Sequence, residues 1–139
     1  MSGSFLDSNV LLYLFDQTDD RKRALAAAII REESLSGTGV ISYQVVQETL
    51  HALTRRTNPA ASQVDAEAFL RDVLAPLWSV NPTRALFTSA LSVQSRFGFH
   101  FYDSLIVAAA LESSCTRLLT EDLQHGQRID GLTIHNPLL

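Results

Sequence analysis

The stretch Tyr102-Asp103-Ser104-Leu105-Ile106-Val107-Ala108-Ala109-Ala110-Leu111, with Arg117-Leu118-Leu119-Thr120-Glu121-Asp122 shortly after it, decides how this chain is read. The first part predicts a helix over 102–114 that is apolar almost all round, and such a helix belongs in the middle of a domain. Its first turn carries Asp103, at the mouth of the core. The second part predicts a strand over 117–120, closed by two carboxylates.

Outward from there the alternation of strand and helix continues in both directions. Ser4 to Asp7 reads as a strand and Asn9 to Phe15 as a short helix. Asp19 to Ser36 reads as a helix that begins acidic and stops at Gly37. Gly39 to Ser42 is a strand, and Ser42 caps a helix from Tyr43 to Arg56, broken by Asn58-Pro59. Ser62 caps a helix reaching Leu74. Leu77 to Val80 is a strand ended by Asn81-Pro82. Thr83 to Phe97 is a helix broken at Gly98, and Leu132 to His135 is a last short strand. Strands separated by helices imply an α/β fold, with a mainly parallel sheet covered on both faces. No repeat, low-complexity tract or linker divides the chain, so residues 1–139 are expected to form one domain. Met1 to Ser4 are either a native start or a cloning remnant.

Composition sets further bounds. Hydrophobic residues make up 46% of the chain, enough for a core, yet no apolar run approaches the roughly 20 residues of a membrane span. No secretory signal is visible. The single cysteine, Cys115, rules out an internal disulfide; it reads as a small, semi-buried residue, and a cytoplasmic location is the expectation. The net charge of −4 argues against holding nucleic acid by bulk charge alone. It leaves room for an enzyme whose carboxylates hold a cation. Lys22 is the one lysine among 11 basic residues. Arginine forks suit phosphate, although a coding bias toward Arg would give the same count.

Four carboxylates fall where the chain changes direction: Asp7, Glu48, Asp103 and Asp122. Each has two readings. Asp7 caps the helix that follows it, or it is a metal ligand at the carboxyl end of the first strand, with Asn9 beside it. Asp103 is a first-turn residue favoured by the helix dipole, or a charge at a low-dielectric border that a cation would stabilise. Asp122 and Glu121 compete for one role, and periodicity does not choose between them. The apolar stripe Tyr43, Val46, Leu50 and Leu53 leaves Glu48 on the opposite side of its helix with Gln44, His51 and Arg55. That side is either a solvated face or the lining of a cleft. Carboxylates gathered at one place repel unless a cation joins them, and hard oxygen ligands suit Mg²⁺ or Mn²⁺.

Other chemistries lack their residues. His51, His100, His125 and His135 make no zinc spacing. The Glu48-x-x-His51 pair occurs once, where a di-iron bundle needs two copies. There is no glycine-rich phosphate loop and no nucleophile elbow. A phospho-accepting receiver needs a lysine at a late strand end, and Lys22 lies in an early helix. A phosphotransferase with Asp7 as nucleophile would want a second Asp where Asn9 stands.

The ordered set of Asp7-Ser8-Asn9, Gln47-Glu48, Asp103 before Leu-Ile-Val-Ala-Ala-Ala, and Thr120-Glu121-Asp122 resembles the PIN-domain ribonucleases, especially the toxin half of VapBC toxin–antitoxin pairs. The likeness runs from Phe5 to Pro137. It implies a three-layer α/β/α sandwich in which Asp7, Glu48, Asp103 and Asp122 bind one or two Mg²⁺ or Mn²⁺ ions. It prefers Asp122 over Glu121 and makes Asn9, Ser104 and Thr120 supporting polar residues. It also implies metal-dependent hydrolysis of RNA, a homodimer, and a cognate antitoxin protein that blocks the acidic site. From charge alone, Arg21, Arg23, Arg55, Arg56 and Arg96 are candidates for the RNA backbone. The crowded aromatics Phe97, Phe99, Phe101 and Tyr102 are either core or association surface. The competing readings are a non-catalytic PIN-like binding module and a structure-selective DNA nuclease.

Overall fold

The computed structural model describes residues 3–55 and 61–139. Strand β1 (Gly3–Leu6) leads into helix α1 (Ser8–Leu12), which tightens into a 3₁₀ turn at Tyr13–Phe15. Helix α2 (Asp20–Ser36) returns the chain to β2 (Gly39–Ser42). Helix α3 (Tyr43–Arg55) follows, then α4 (Gln63–Phe69), a wider π turn (Leu70–Leu74) and a last short turn, α5 (Ala75–Leu77). Strand β3 (Trp78–Val80), helices α6 (Arg84–Phe97) and α7 (Phe101–Glu112), and strands β4 (Cys115–Leu119), β5 (Arg128–Ile129) and β6 (Leu132–His135) complete it.

The helix boundaries are set by short polar side chains. Asp19, Ser62 and Thr83 each accept a backbone N–H of the following first turn, from Lys22, Asp65 and Leu86. An N-cap oxygen of this kind satisfies a donor with no partner inside the helix. Helix α6 stops where Gly98 takes a left-handed φ of 74° and donates its N–H to the Gln94 carbonyl.

The six strands lie in the order β3-β2-β1-β4-β6-β5, parallel except for β5, which runs against β6. From β1 the chain first moves outward through β2 to β3, then crosses back to β4 on the other side of β1. Parallel crossovers are right-handed, so connections running in opposite directions cover opposite faces of the sheet. The result is the three-layer α/β/α sandwich that the resemblance implied. Between β1 and β4 the strand order reverses, and the carboxyl ends of two strands diverge there. Such a point is where an open α/β sheet binds its ligands.

The core confirms the reading of the deciding stretch. Ser104 and residues 106–110 of α7 are all buried, as are Phe5, Leu6, Leu118 and Ile134 of the central strands. Three expectations need correction. The buried side of α3 is Val45, Val46, Thr49, Ala52 and Leu53. Tyr43 is instead exposed and packs on the Trp78 ring at 5.9 Å, because the helix turns its first residue toward the edge strand. The helix expected to end at Leu74 continues to Leu77 by way of the π turn, with Pro76 in its last turn and Trp78 leaving in an extended conformation. Cys115 is buried rather than half-buried. The two-residue strand β5 was not anticipated; Asp130-Gly131 turns it onto β6, with Asp130 at φ 55°. Arg56 and the Asn58-Pro59 break lie outside the described residues.

At Gly39 the backbone runs so close to α2 that a Cβ would stand 2.8 Å from Glu33 Cβ and 2.9 Å from Leu77 Cδ2. Gly39→Ala should therefore destabilise the protein by about 1–3 kcal/mol, the usual cost of overpacking. Thermal unfolding would check this, and an unchanged Tm would contradict the close approach.

Candidate active site

Asp7 stands at the carboxyl end of β1 and is 5% exposed. One carboxylate oxygen, Oδ1, accepts the Ser8 backbone N–H at 2.7 Å, which makes Asp7 the N-cap of α1. The other, Oδ2, accepts the Thr120 hydroxyl at 2.9 Å across the switch point. The capping reading of this residue therefore holds, and its second oxygen is tied to the neighbouring strand. Burial pushes its pKa up to about 7; the bonds from Thr120 and Ser8 oppose the shift, while the charges of Glu48 and Asp122 add to it.

The other three carboxylates come from separate elements. Glu48 lies on the exposed side of α3, which packs beside α1, and accepts the Ser8 hydroxyl at 3.4 Å. Loss of hydration raises its pKa, opposed by hydrogen bonds from Gln44 and Ser8 and reinforced by Asp103 and Asp122. Asp103 sits in the first turn of α7, its pKa raised first by desolvation and then by Asp122, with His100 pulling the other way. Asp122 follows β4, exposed, with its backbone N–H held by Thr120 Oγ1 at 3.1 Å. Asp7, Glu48 and Asp103 thus each feel the charge of at least one other acid, and Asp122 acts on all three.

The donor set fits a hard divalent cation. All four side chains offer carboxylate oxygens, the kind Mg²⁺ and Mn²⁺ accept. A cation would also offset the burial, and the smaller effect of the neighbouring charges, that raise the pKa of Asp7. Among the described residues, no three His, Cys, Asp or Glu side chains already close around a single point. The acids are coupled through charge and would have to converge on an ion.

The supporting residues divide. Thr120 is fully buried and is the hub: its hydroxyl donates to Asp7 and accepts from Asn9 Nδ2 at 3.2 Å. Asn9 also accepts the Glu121 N–H at 3.4 Å, tying α1 to the end of β4. Ser104 does not join them. Its hydroxyl turns back into its own helix, onto the His100 carbonyl at 3.0 Å. The arginines do not gather at the acids either. Arg21 bonds the carbonyls of Leu138 and Leu139, Arg23 pairs with Asp20, and Arg96 forks onto Asp130. Arg55 is exposed at the end of α3, and Arg56 lies outside the described residues.

Sequence reasoning overlooked Ser8, which joins Asp7 to Glu48, and Tyr13, whose hydroxyl bonds Glu121 at 2.9 Å. A signal for Tyr13 existed: it is four residues after Asn9 and so shares its helical face.

The raised carboxyl pKa of Asp7 carries a stability consequence. Between its unfolded pKa near 3.8 and its folded value of about 7, the folded state binds more protons than the unfolded one. Stability of the metal-stripped protein should therefore fall as pH rises through this window, by at most about 1.4 kcal/mol per pH unit, and level off above it. Asp7→Asn should flatten that profile in thermal melts from pH 4 to 8. A metal-free Tm that rises steadily to pH 7 would contradict the buried carboxyl.

Comparisons with known proteins agree with this architecture. A family model described as the PIN domain matches residues 4–130. A search of curated proteins finds no match. Among solved structures, a toxin–antitoxin complex from Klebsiella pneumoniae is similar, with a TM-score of 0.68 at 16% identity over 97% of this chain and 98% of that one. VapBC2 from Rickettsia felis, bound to a DNA fragment from its promoter, gives 0.66 at 16% identity, covering 96% and 97%. VapC20 from Mycobacterium tuberculosis, a toxin cleaving the sarcin–ricin loop, gives 0.61 at 22% identity, covering 86% and 92%. At these identities the likeness is one of fold. The family model spans β1 to the β5–β6 turn and takes in all four acids, and on that match the chain belongs to the PIN-domain family.

Proposed function

We propose that this protein is a metal-dependent endoribonuclease and the toxin of a type II toxin–antitoxin pair. One observation carries the reading: carboxylates from four separate segments share one electrostatic field around buried Asp7, at the switch point of a PIN-domain sheet. Two of the similar structures are described as toxin–antitoxin assemblies, and one as a toxin that cleaves the sarcin–ricin loop, which supports the same reading here.

In this proposal Asp7, Glu48, Asp103 and Asp122 hold one or two Mg²⁺ or Mn²⁺ ions. When bound, such an ion supplies Lewis-acid chemistry, letting water serve as nucleophile near neutral pH and offsetting charge that builds on the phosphate. The chain's own part is positional. Thr120 and Ser8 fix both oxygens of Asp7, so its carboxylate cannot rotate away from the site. Glu48 and Asp103 are presented from two helices, and Asp122, exposed, follows β4. No serine, cysteine or threonine nucleophile is required. Arg55, seven residues from Glu48 on the same face of α3, is the best placed of the candidate arginines to meet a phosphate; Arg21, Arg23 and Arg96 already have protein partners.

The partners follow from surface and charge. An antitoxin segment carrying a basic side chain complements the acids and would silence them. Tyr43, Phe87 and Tyr102 are exposed around an apolar cavity of about 340 Å³, and they are the proposed face of a homodimer. Phe97, Phe99 and Phe101 pack partly buried against the core and leave Tyr102 as the exposed member of that segment. Among the described residues no helix is long and apolar enough to cross a membrane, and the proposed site of action is the cytoplasm.

Purified protein should cleave a mixed RNA substrate with Mg²⁺ or Mn²⁺ and stop on addition of EDTA. Asp7→Asn or Asp103→Asn should remove cleavage while keeping the fold, by more than the roughly 10- to 100-fold that even the hydrogen-bond partners of metal ligands control. Full metal-dependent activity in Asp7→Asn would sink the assignment. Light scattering should give twice the 15.3 kDa chain mass, reduced to one by Phe87→Asp. A wild-type monomer at high concentration would remove the dimer.

A further inference from the structure

Resting on the metal-site reading above, we infer that Tyr13 is a positioning residue that draws Glu121 out of the acidic cluster and thereby aims Asp122 into it, with Lys22 as the counter-charge. Two carboxylates follow one another after β4. Adjacent side chains leave the backbone in different directions, so fixing one also sets the other.

The Tyr13 hydroxyl donates to Glu121, 2.9 Å from Oε1 and 3.1 Å from Oε2. Lys22 Nζ stands 3.9 Å from Glu121 Oε2 and 3.3 Å from the Tyr13 oxygen, and its ammonium lies 4.8 Å from the centre of the Tyr13 ring. The charge of Glu121 is thus met by the chain's one lysine. The consequence is visible in the charges that act on the site: Asp122 bears on Asp7, Glu48 and Asp103, whereas Glu121 bears on Tyr13 and Lys22.

The backbone is tethered at the same place. Asn9 accepts the Glu121 N–H, and Thr120 Oγ1 accepts that of Asp122. Asn9 and Tyr13 lie one turn apart along α1 and its 3₁₀ extension, so one helical face grips both the main chain and the side chain of Glu121. The Tyr13 bond is the contact that sorts the two acids, because it acts on a carboxylate itself.

Tyr13→Phe removes one hydroxyl, changes no charge and keeps the ring under Lys22. Calorimetric titration of the metal-stripped protein with Mn²⁺ should show affinity weakened about 10-fold, as for losing a hydrogen bond that orients a ligand. RNA cleavage should lose kcat with KM unchanged. Glu121→Gln and Glu121→Ala remove the same charge, so the difference between them reads the tether. Gln keeps an acceptor for the Tyr13 hydroxyl and should bind Mn²⁺ better than Ala, which should resemble Tyr13→Phe. Wild-type Mn²⁺ affinity in Tyr13→Phe would overturn the inference. So would equal affinities for the two Glu121 variants; both equally weak would make Glu121 a ligand in its own right. Asp122→Asn separates the two levels. If it leaves Mn²⁺ affinity unchanged, the metal-site reading itself fails, however Tyr13→Phe behaves. A wild type that binds no Mn²⁺ would remove both.

Discussion

Everything in this molecule that concerns chemistry depends on one buried hydrogen bond, from the Thr120 hydroxyl to the Asp7 carboxylate. It joins the ends of β1 and β4, the two strands between which the sheet reverses its order. A carboxylate in that position has lost its water and is held by a hydroxyl and a single backbone N–H. Three other acids act on the same small region. Burial and these neighbouring charges disfavour an ionised Asp7, and a divalent cation offsets both. Held in this way, the carboxyl of Asp7 stays protonated to an unusually high pH, and that is the strain the proposed cation would relieve.

The sheet topology explains how acids far apart in sequence come to share a site. Asp7 and Asp122 arrive as the ends of neighbouring strands, Asp103 as the first turn of the most apolar helix, and Glu48 through the packing of α3 beside α1. None is on a long mobile loop. The rigid core beneath them, from Phe5 through Val107 to Leu118, is the scaffold that fixes their spacing.

Much of this was legible in the chain. The apolar helix after Tyr102 declared its burial by having no polar face, and capping residues marked helix starts to within a residue or two. The four acids were legible as an ordered set, although taken singly Asp7 read equally as a cap, Asp103 as a first-turn residue and Glu48 as part of a solvated face. Between Asp122 and Glu121 periodicity could not choose and the resemblance preferred Asp122; the contacts that bear on the pair, with Tyr13 and Lys22, lie roughly a hundred positions away in sequence. The expected stripe of α3 holds at Val46 and Leu53 but fails at Tyr43, an apolar ring at a helix start that finds its partner on the edge strand and not in the core. The strand β5 is two residues long, too short to show any alternation, though Asp130-Gly131 is a strong hairpin pair. The resemblance made Ser104 a supporting residue, yet a helical residue next to Asp103 points some 100° away from it, toward the core.

The short hairpin strand has a consequence for how copies of this chain can meet. A sheet edge with unpaired backbone groups is a template on which another strand can grow. Here one edge is the two-residue β5 and the other the three-residue β3, stopped by the proline at position 82. Neither offers enough backbone for a foreign strand to extend the sheet. Association must therefore be written in side chains, on the helical surfaces, where a single substitution can abolish it or change its partner. For a protein whose neighbours in fold come as matched pairs, that arrangement lets recognition diverge quickly while the parallel sheet beneath stays closed to misassembly.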